Sequence, residues 1–320
     1  MNQKLKIGVT GANGYVGGRI VSYLRSIGHF EVISVVRNQV DKGLIHLVGN
    51  QFYLDWNSSE SITAFCKSVD VIIHCAGMNA QDCHNNPILA FQFNGLKTGE
   101  LINIASQSGV KKFIYFSTAH IYASPLKGMI TEKDCPQNLH PYANSHKLAE
   151  DLVRYFAEKG EMEGIVLRLS NSFGAPIRAS VNCWQLIVND LCKQSIEKQR
   201  MVLHSSGMQR RDFITLTEVS RIVEFLVQSK ISRDNSIINV GGNWSPTILE
   251  MTQLIRERYK TRFKKDIEIQ VPDASSTGIS FPLDYKTETL NLLGYRSKQD
   301  PNKEIDDLLQ FCYQNFSLVK

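Results

Sequence analysis

Apolar positions along the chain fall into short buried runs separated by stretches of helical spacing. Lys4 to Thr10 is apolar and β-prone. Tyr15 to Ile27 follows, with Val16, Ile20, Val21 and Leu24 on one face, and Gly28 stops it. Glu31 to Arg37 predicts a second strand, and Val69 to Cys75 another buried run. Ile88 to Ser108 predicts one long helix ending at Gly109. Phe113 to Ser117 predicts a strand, Asn144 to Glu158 a helix and Gly164 to Leu169 a strand. Strands that alternate with helices imply an α/β fold, a doubly wound parallel sheet with helices on both faces.

Beyond about residue 172 the pattern loosens. Helices are predicted at Trp184 to Gln194, Leu216 to Ser229, Thr247 to Tyr259 and Lys303 to Phe316. Short strands are predicted near Met201 to His204, Ser236 to Val240 and Ile267 to Val271. The expected organisation is a dinucleotide-binding domain over 1–172 and a smaller α/β substrate lobe over 173–320, interleaved with the last strands of the main sheet. No internal repeat or low-complexity linker marks the boundary.

Composition adds limits to this picture. The chain has 320 residues, 42% hydrophobic and 21% charged, as an ordinary globular protein has. The formal net charge of +5 is spread out, and pairs such as Lys111-Lys112 and Lys264-Lys265 are no nucleic-acid footprint. No apolar run reaches the roughly 18 residues that span a bilayer. The N-terminus reads as a strand and not as a signal peptide, so the expected location is cytoplasmic. The 7 cysteines are scattered without a C-x-x-C pair, which suggests neither a metal site nor a disulfide framework. Cys75 lies inside a strand pattern, as a small core residue.

The first candidate chemistry is a glycine turn. The first strand runs directly into Thr10-Gly11-Ala12-Asn13-Gly14-Tyr15-Val16-Gly17, and a helix follows. Gly11 allows a tight turn, Gly14 lets the backbone approach a pyrophosphate, and Gly17 lets helix and strand pack closely. The pyrophosphate would meet free N–H groups and the positive helix end. A Rossmann-like dinucleotide site is therefore expected at the start of the chain.

The G-x-x-G-x-x-G spacing resembles the extended branch of the short-chain dehydrogenase/reductase family, whose members include nucleotide-sugar epimerases and dehydratases. Further short matches follow in order along nearly the whole chain. Asp55-Trp56 stands where the family places a pair against adenine. His74-Cys75-Ala76-Gly77 resembles the turn beneath the cofactor, and Asn94 matches an Asn in the central helix that props up the active site. Gly11, Asn13, Gly14, Tyr15, Val16, Gly17, Arg37, Asp55, Trp56, Ala76, Asn94, Tyr142 and His146 are thus the expected cofactor-binding residues. After the second strand stands Val36-Arg37-Asn38, with no carboxylate to bind a ribose 2′-OH. Arg37 would fork onto a 2′-phosphate, unless it is an ordinary surface arginine. NADP is the preferred cofactor on this reading and NAD the alternative.

Phe116-Ser117-Thr118-Ala119-His120-Ile121-Tyr122 resembles the family segment that carries the catalytic Ser or Thr, here Thr118. Pro141-Tyr142-Ala143-Asn144-Ser145-His146-Lys147 resembles its P-Y-x-x-S-K motif. Tyr142 is in register, but His146 occupies the lysine's place and Lys147 is one residue late. One residue on a helix is about 100° of rotation, so Lys147 is expected to point away. In the family the lysine stabilises the phenolate and holds the nicotinamide ribose. A neutral His146 would still bond the ribose but would add charge only when protonated. The resemblance implies Thr118, Tyr142 and His146 as catalytic residues.

Leu167-Arg168-Leu169-Ser170-Asn171-Ser172-Phe173-Gly174 and Gln209-Arg210-Arg211-Asp212-Phe213-Ile214 resemble substrate-side motifs of nucleotide-sugar enzymes. They imply that Asn171 and Arg211, together with Thr118, contact a nucleotide-diphosphate sugar, with Asp212 structural. Asn239-Val240-Gly241-Gly242 and Leu293-Gly294-Tyr295 resemble architectural landmarks. The expected activity is NAD(P)-dependent oxidoreduction at a sugar carbon, C4 by preference, by a ketoreductase or an epimerase. A dehydratase is disfavoured, because Ala119-His120 follow Thr118 where that subgroup has Asp-Glu. The alternative is a non-catalytic NADP-binding sensor or scaffold on the same fold. The helices Ile88–Ser108 and Asn144–Glu158 form a dimer face in the family, which makes a homodimer an expectation by resemblance.

Overall fold

The computed structural model describes residues 4–37, 49–160, 162–272 and 280–317. The strands in chain order are β1 (Lys6–Thr10), β2 (Glu31–Val36), β3 (Gln51–Tyr53), β4 (Val71–His74), β5 (Lys112–Thr118), β6 (Gly128–Ile130), β7 (Glu163–Leu169), β8 (Asn171–Phe173), β9 (Arg200–Val202), β10 (Phe213–Thr215), β11 (Ile237–Val240), β12 (Glu268–Gln270) and β13 (Leu283–Tyr285). The helices are α1 (Tyr15–Ile27), α2 (Ser59–Lys67), α3 (Ala80–Asn85), α4 (Pro87–Ala90), α5 (Thr98–Gln107), α6 (Pro141–Lys159), α7 (Ile187–Glu197), α8 (Leu216–Gln228), α9 (Ile248–Phe263), α10 (Glu288–Leu292) and α11 (Pro301–Phe316).

Seven strands form one parallel sheet in the order β11-β7-β5-β4-β1-β2-β3. The central strands are buried on both faces, which is why they read as unbroken apolar runs. One face packs Ile20 and Leu24 of α1 and Val219 and Val223 of α8 against Ile7, Val9 and Ile114. The other packs Phe65 of α2, Leu101 and Ile102 of α5 and Val153 of α6 against Ile72, Phe113 and Tyr115. A separate core, with Leu191 of α7, Ile255 of α9 and Leu308 of α11, lies among the later elements. Strand β11 then returns to the main sheet beside β7.

Local signals set the element ends. Gly28 closes α1 in the left-handed conformation (φ 69°), free of the Cβ penalty. Thr247 and Glu250 form a reciprocal capping box at the start of α9. Lys112, buried at the foot of β5, donates to the carbonyls of Leu226 (2.8 Å) and Val227 (3.2 Å) at the end of α8.

Several expectations are corrected. The single helix over 88–108 is instead α4, a π-helical stretch Phe91–Lys97 and α5. Along this run Gly95 and Gly99 meet Leu148 and Leu152 of α6, where any Cβ would lie 2.6 Å from a leucine carbon. Helix α7 starts three residues later than expected, because Trp184 belongs to the preceding turn. Its Nε1 donates to Ala179 O (2.8 Å) and its ring packs on Phe311 and Phe316. Helix α6 starts at Pro141, so Tyr142 lies inside its first turn. The strands β3, β6, β8, β10 and β13 are three residues each, too short to show a period of two.

Candidate functional site

The chain leaves β1 toward β2 and β3 on one side, and continues from β4 toward β5, β7 and β11 on the other. A crevice between the carboxyl ends of β1 and β4 follows from this reversal of strand order. The glycine turn sits there. Gly11 has φ +67°, and a Cβ on it would lie 2.8 Å from Cys75 C and 2.9 Å from Ala76 N. Gly14 N donates to Gly11 O (2.8 Å), and a Cβ on Gly17 would fall 2.4 Å from that same oxygen. No side chain caps α1 at Gly14. The first N–H groups of the helix are thus left for an anion, which fits a dinucleotide pyrophosphate.

The floor of the turn is tied by side chains. Thr10 Oγ1 accepts from Cys75 N (3.2 Å) and Ala76 N (3.3 Å) and bonds His74 Nδ1 (2.7 Å). His74 Nε2 bonds Thr98 Oγ1 (2.9 Å). Burial pushes the His74 imidazole down to about 3, so it is a neutral clamp between β1, β4 and α5. Asn94, on the π-helical stretch, accepts from Met78 N (2.8 Å) and donates to Ser145 Oγ (3.1 Å). It thereby joins the turn after β4 to the first turns of α6.

Other expected cofactor residues are placed less directly. Tyr15 turns its hydroxyl to Gly174 O (3.0 Å) and Asn189 Oδ1 (3.1 Å), and Val16, half-buried on α1, packs against the core. Asp55 is exposed and accepts from Asn57 N (2.9 Å). The Trp56 indole is buried, with its ring edge against Phe93 and near His74. Arg37 is exposed at the end of β2, and its neighbour Asn38 lies outside the described residues.

Thr118 ends β5 and Tyr142 lies in the first turn of α6, and the packing of α6 on β5 lets the two side chains hydrogen-bond. Burial pushes the Tyr142 phenol up to about 12, while a hydrogen bond with Thr118 pulls the other way and nearby Cys83 adds a small upward push. His146 lies edge-on to Tyr142, with ring centroids 4.6 Å apart. Its Nδ1 bonds the hydroxyl of Tyr115 at 2.6 Å. Burial pushes the imidazole down to about 4, which leaves it neutral near pH 7. Lys147 points to the outside of α6, with Nζ on Asp151 one turn later. No cation therefore stands beside Tyr142 among the described residues. The Tyr115 partner was not foreseen; in the sequence it is one more aromatic residue of a buried strand.

Behind this pair runs a buried polar chain. Ser117 Oγ donates to Glu150 (2.5 Å), and Arg168 donates to the same carboxylate (2.8 Å) and to Tyr122 Oη (2.8 Å). Tyr122 and Tyr285 both donate to Asn239 Oδ1 (2.8 and 2.9 Å). This chain links β5, α6, β7, β11 and β13 and fixes the strand end that carries Thr118.

On the substrate side, Asn171 Nδ2 donates to Asp212 O (3.0 Å). The Asp212 carboxylate accepts from Ser170 Oγ (2.5 Å), Gly242 N (2.9 Å) and Trp244 N (3.2 Å), and burial pushes it up to about 6. It is a structural residue that organises the loop after β11. Arg211 makes no side-chain hydrogen bond or ion pair with the described residues, and burial lowers its pKa. Burial lowers the pKa of His120, two residues past Thr118, and the charges of Arg211 and His140 add to the lowering. The unpaired guanidinium is thus near enough to His120 to be felt electrostatically. In the sequence His120 stands out only as half of the pair that replaces the dehydratase Asp-Glu, and not as a site residue.

The parallel sheet, the crevice at its switch point and the glycine turn define a Rossmann-like dinucleotide-binding fold. The chain belongs to the NAD dependent epimerase/dehydratase family, which it matches over residues 7–241. It is similar to dTDP-D-glucose 4,6-dehydratase of Bos taurus, 25% identical over 327 residues that cover 96% of this chain and 88% of that one. Its fold is similar to UDP-N-acetylglucosamine 4-epimerase from Methanobrevibacter ruminantium M1, with a TM-score of 0.81 at 20% identity over 97% of this chain and 98% of that one. It is similar as well to UDP-glucuronic acid 4-epimerase from Bacillus cereus, solved with UDP-glucuronic acid and NAD, with a TM-score of 0.78 at 19% identity over 97% and 99% of the two chains. Among the described residues no helix is long and apolar enough to cross a membrane.

Proposed function

We propose that the chain is an NAD(P)-dependent enzyme that acts at a sugar carbon, C4 in this reading, of a nucleotide-diphosphate sugar. The carrying observation is the Thr118–Tyr142 pair, taken together with the glycine turn and the unpaired Arg211. The relatives named above support the class, and the two solved epimerases act on UDP-sugars by name. Residues 173–320 serve as the substrate lobe in this proposal, with Asn171 and Arg211 toward the substrate.

The glycine turn would hold the pyrophosphate, and Ala76 and Asn94 would frame the nicotinamide half. The dinucleotide, when bound, supplies the hydride acceptor or donor. Tyr142 Oη carries the matching proton, and the Thr118 hydroxyl orients the sugar oxygen toward it. With a phenol held at about 12, Tyr142 is protonated at neutral pH and is a better proton donor than acceptor. His146, neutral and fixed by Tyr115 through Nδ1, offers Nε2 as a hydrogen-bonding group for the ribose and no charge. This combination favours ketone reduction, and with it a 4-ketoreductase over an epimerase that needs both directions. Arg37, with no carboxylate beside it on β2, favours NADP. The helix face that exposes Ile88, Leu89 and Leu96 supports a homodimer.

A specific observation also favours a second reading, a non-catalytic NADP sensor or scaffold: the family lysine is replaced by a buried neutral His146. Mass analysis of small molecules carried through native purification separates the two. A nucleotide sugar found with NADP or NAD supports the enzyme, and a dinucleotide alone supports the sensor.

A further inference from the structure

The segment after β8 crosses over the glycine turn and is fixed to the start of α1. Tyr15 Oη donates to Gly174 O, and Arg19 Nη1 donates to Ala175 O (2.8 Å). Ile177 fills the space beside Gly18, where a Cβ would lie 2.6 Å from its Cδ1. Arg178 Nη2 donates to Asn13 O (3.1 Å), between the first two glycines of the turn. The other two donor groups of that guanidinium, Nε and Nη1, are shut off from solvent and have no hydrogen-bond partner among the described residues. Arg178 as a whole is half-buried, but shut-off donors on a cation are unfavourable unless an acceptor, best an anion, completes them. The neighbouring feature is the uncapped N-terminus of α1.

We infer that Arg178 closes over the glycine turn from the substrate-lobe side and forks onto the diphosphate of the bound dinucleotide. The inference rests on reading that turn as the dinucleotide site. The dinucleotide diphosphate is favoured over that of the sugar nucleotide because Arg178 is pinned to the turn itself. Arg211 makes no hydrogen bond or ion pair with the turn among the described residues, and its charge is felt instead at His120, two residues past Thr118. Arg178 thus ties cofactor occupancy to the first residues of the substrate lobe.

The test uses Arg178→Gln, which keeps a donor for Asn13 O, and Arg178→Lys, which keeps the charge but loses the fork. Nucleotide-stripped protein is titrated calorimetrically with NAD, NADP, ADP-ribose and UDP, and the unfolding midpoint is read with and without NAD. In Arg178→Gln the two dinucleotides and ADP-ribose should bind roughly 10- to 100-fold more weakly, as expected for a lost charged hydrogen-bonding group. Arg178→Lys should be intermediate and UDP unaffected. The ligand-free midpoint should hold or rise, because two shut-off, unmet donors are gone, while the rise produced by NAD shrinks. A merely structural arginine would lower the ligand-free midpoint instead, and that result overturns the assignment. ADP-ribose affinity kept within about twofold of the parent overturns it as well, and so does a loss confined to UDP. A parent protein that binds neither dinucleotide nor ADP-ribose sinks the reading of the turn, and the Arg178 assignment with it.

Discussion

Replacing His146 by lysine puts a cation where the structure has a neutral ring 4.6 Å from the Tyr142 ring. An ammonium about 5 Å from the phenol oxygen, at an effective dielectric of about 20, stabilises the phenolate by about 3 kcal/mol. That is roughly two pKa units. The phenol would then move from about 12 toward the ordinary tyrosine value near ~10. At pH 8 the ionised fraction rises from about 1 in 10⁴ to about 1 in 10². The weaker basicity of the stabilised phenolate offsets part of this, so oxidation of the alcohol should speed up on the order of tenfold. Reduction needs the protonated phenol, which is nearly fully populated at pH 8 in both proteins, so it should change little. The Haldane relation fixes the overall ratio of kcat/KM values. The measure is therefore single-turnover hydride transfer at 340 nm in each direction, with pH varied. Tyr142→Phe should lose both directions. Equal acceleration of both directions in His146→Lys would refute the reasoning, as would near-native turnover in Tyr142→Phe.

Three further outcomes are expected. Arg211→Ala should weaken binding of nucleoside diphosphates by roughly 2–5 kcal/mol in calorimetry with UDP, GDP and TDP, with dinucleotide affinity unchanged; equal affinity for all three would remove Arg211 from the site. Arg37→Glu should turn a preference for NADP into one for NAD in fluorescence titrations, and a native protein that already prefers NAD would show the Arg37 argument to be wrong. The folded pKa of His146, about 4, lies below the ordinary histidine value of 6.5, so the unfolded chain binds more protons between these values. Stability is therefore lost as pH falls through that window, by about 3 kcal/mol at its lower end. His146→Gln should lose correspondingly less in urea unfolding at pH 6.5 and pH 4, and parallel losses in the two proteins would count against a buried neutral imidazole.

The parts of the fold that were legible in the sequence are those whose burial is one-dimensional. Strands β1, β4, β5 and β7 are covered on both faces, so their apolar runs stand out without any knowledge of partners. The glycine turn is legible for a related reason, since each glycine answers a contact within a few residues of it or with the adjacent strand end. What could not be read depends on pairs distant in sequence. The helical period over 88–108 predicts one helix. The π-helical stretch accompanies contacts of Asn94, Gly95 and Gly99 with Ser145, Leu148 and Leu152, which no local spacing encodes.

The same division runs through the candidate site. The motif register identified His146 as the departure from the family lysine and put Lys147 on the wrong face. It could not say that His146 is neutral, because that follows from burial beneath β5 and from Tyr115, a residue that only the β5–α6 packing brings to its Nδ1. This distinction changes the chemistry. A histidine exposed at the same position would titrate near ~6.5 and supply positive charge in mildly acidic solution. The buried one stays neutral down to about pH 4, so position 146 supplies no cation over most of the physiological range. In the proposed reaction, proton transfer would then depend on a phenol held high and hydrogen-bonded to Thr118, an arrangement that would suit giving a proton to a ketone-derived oxygen better than taking one from an alcohol.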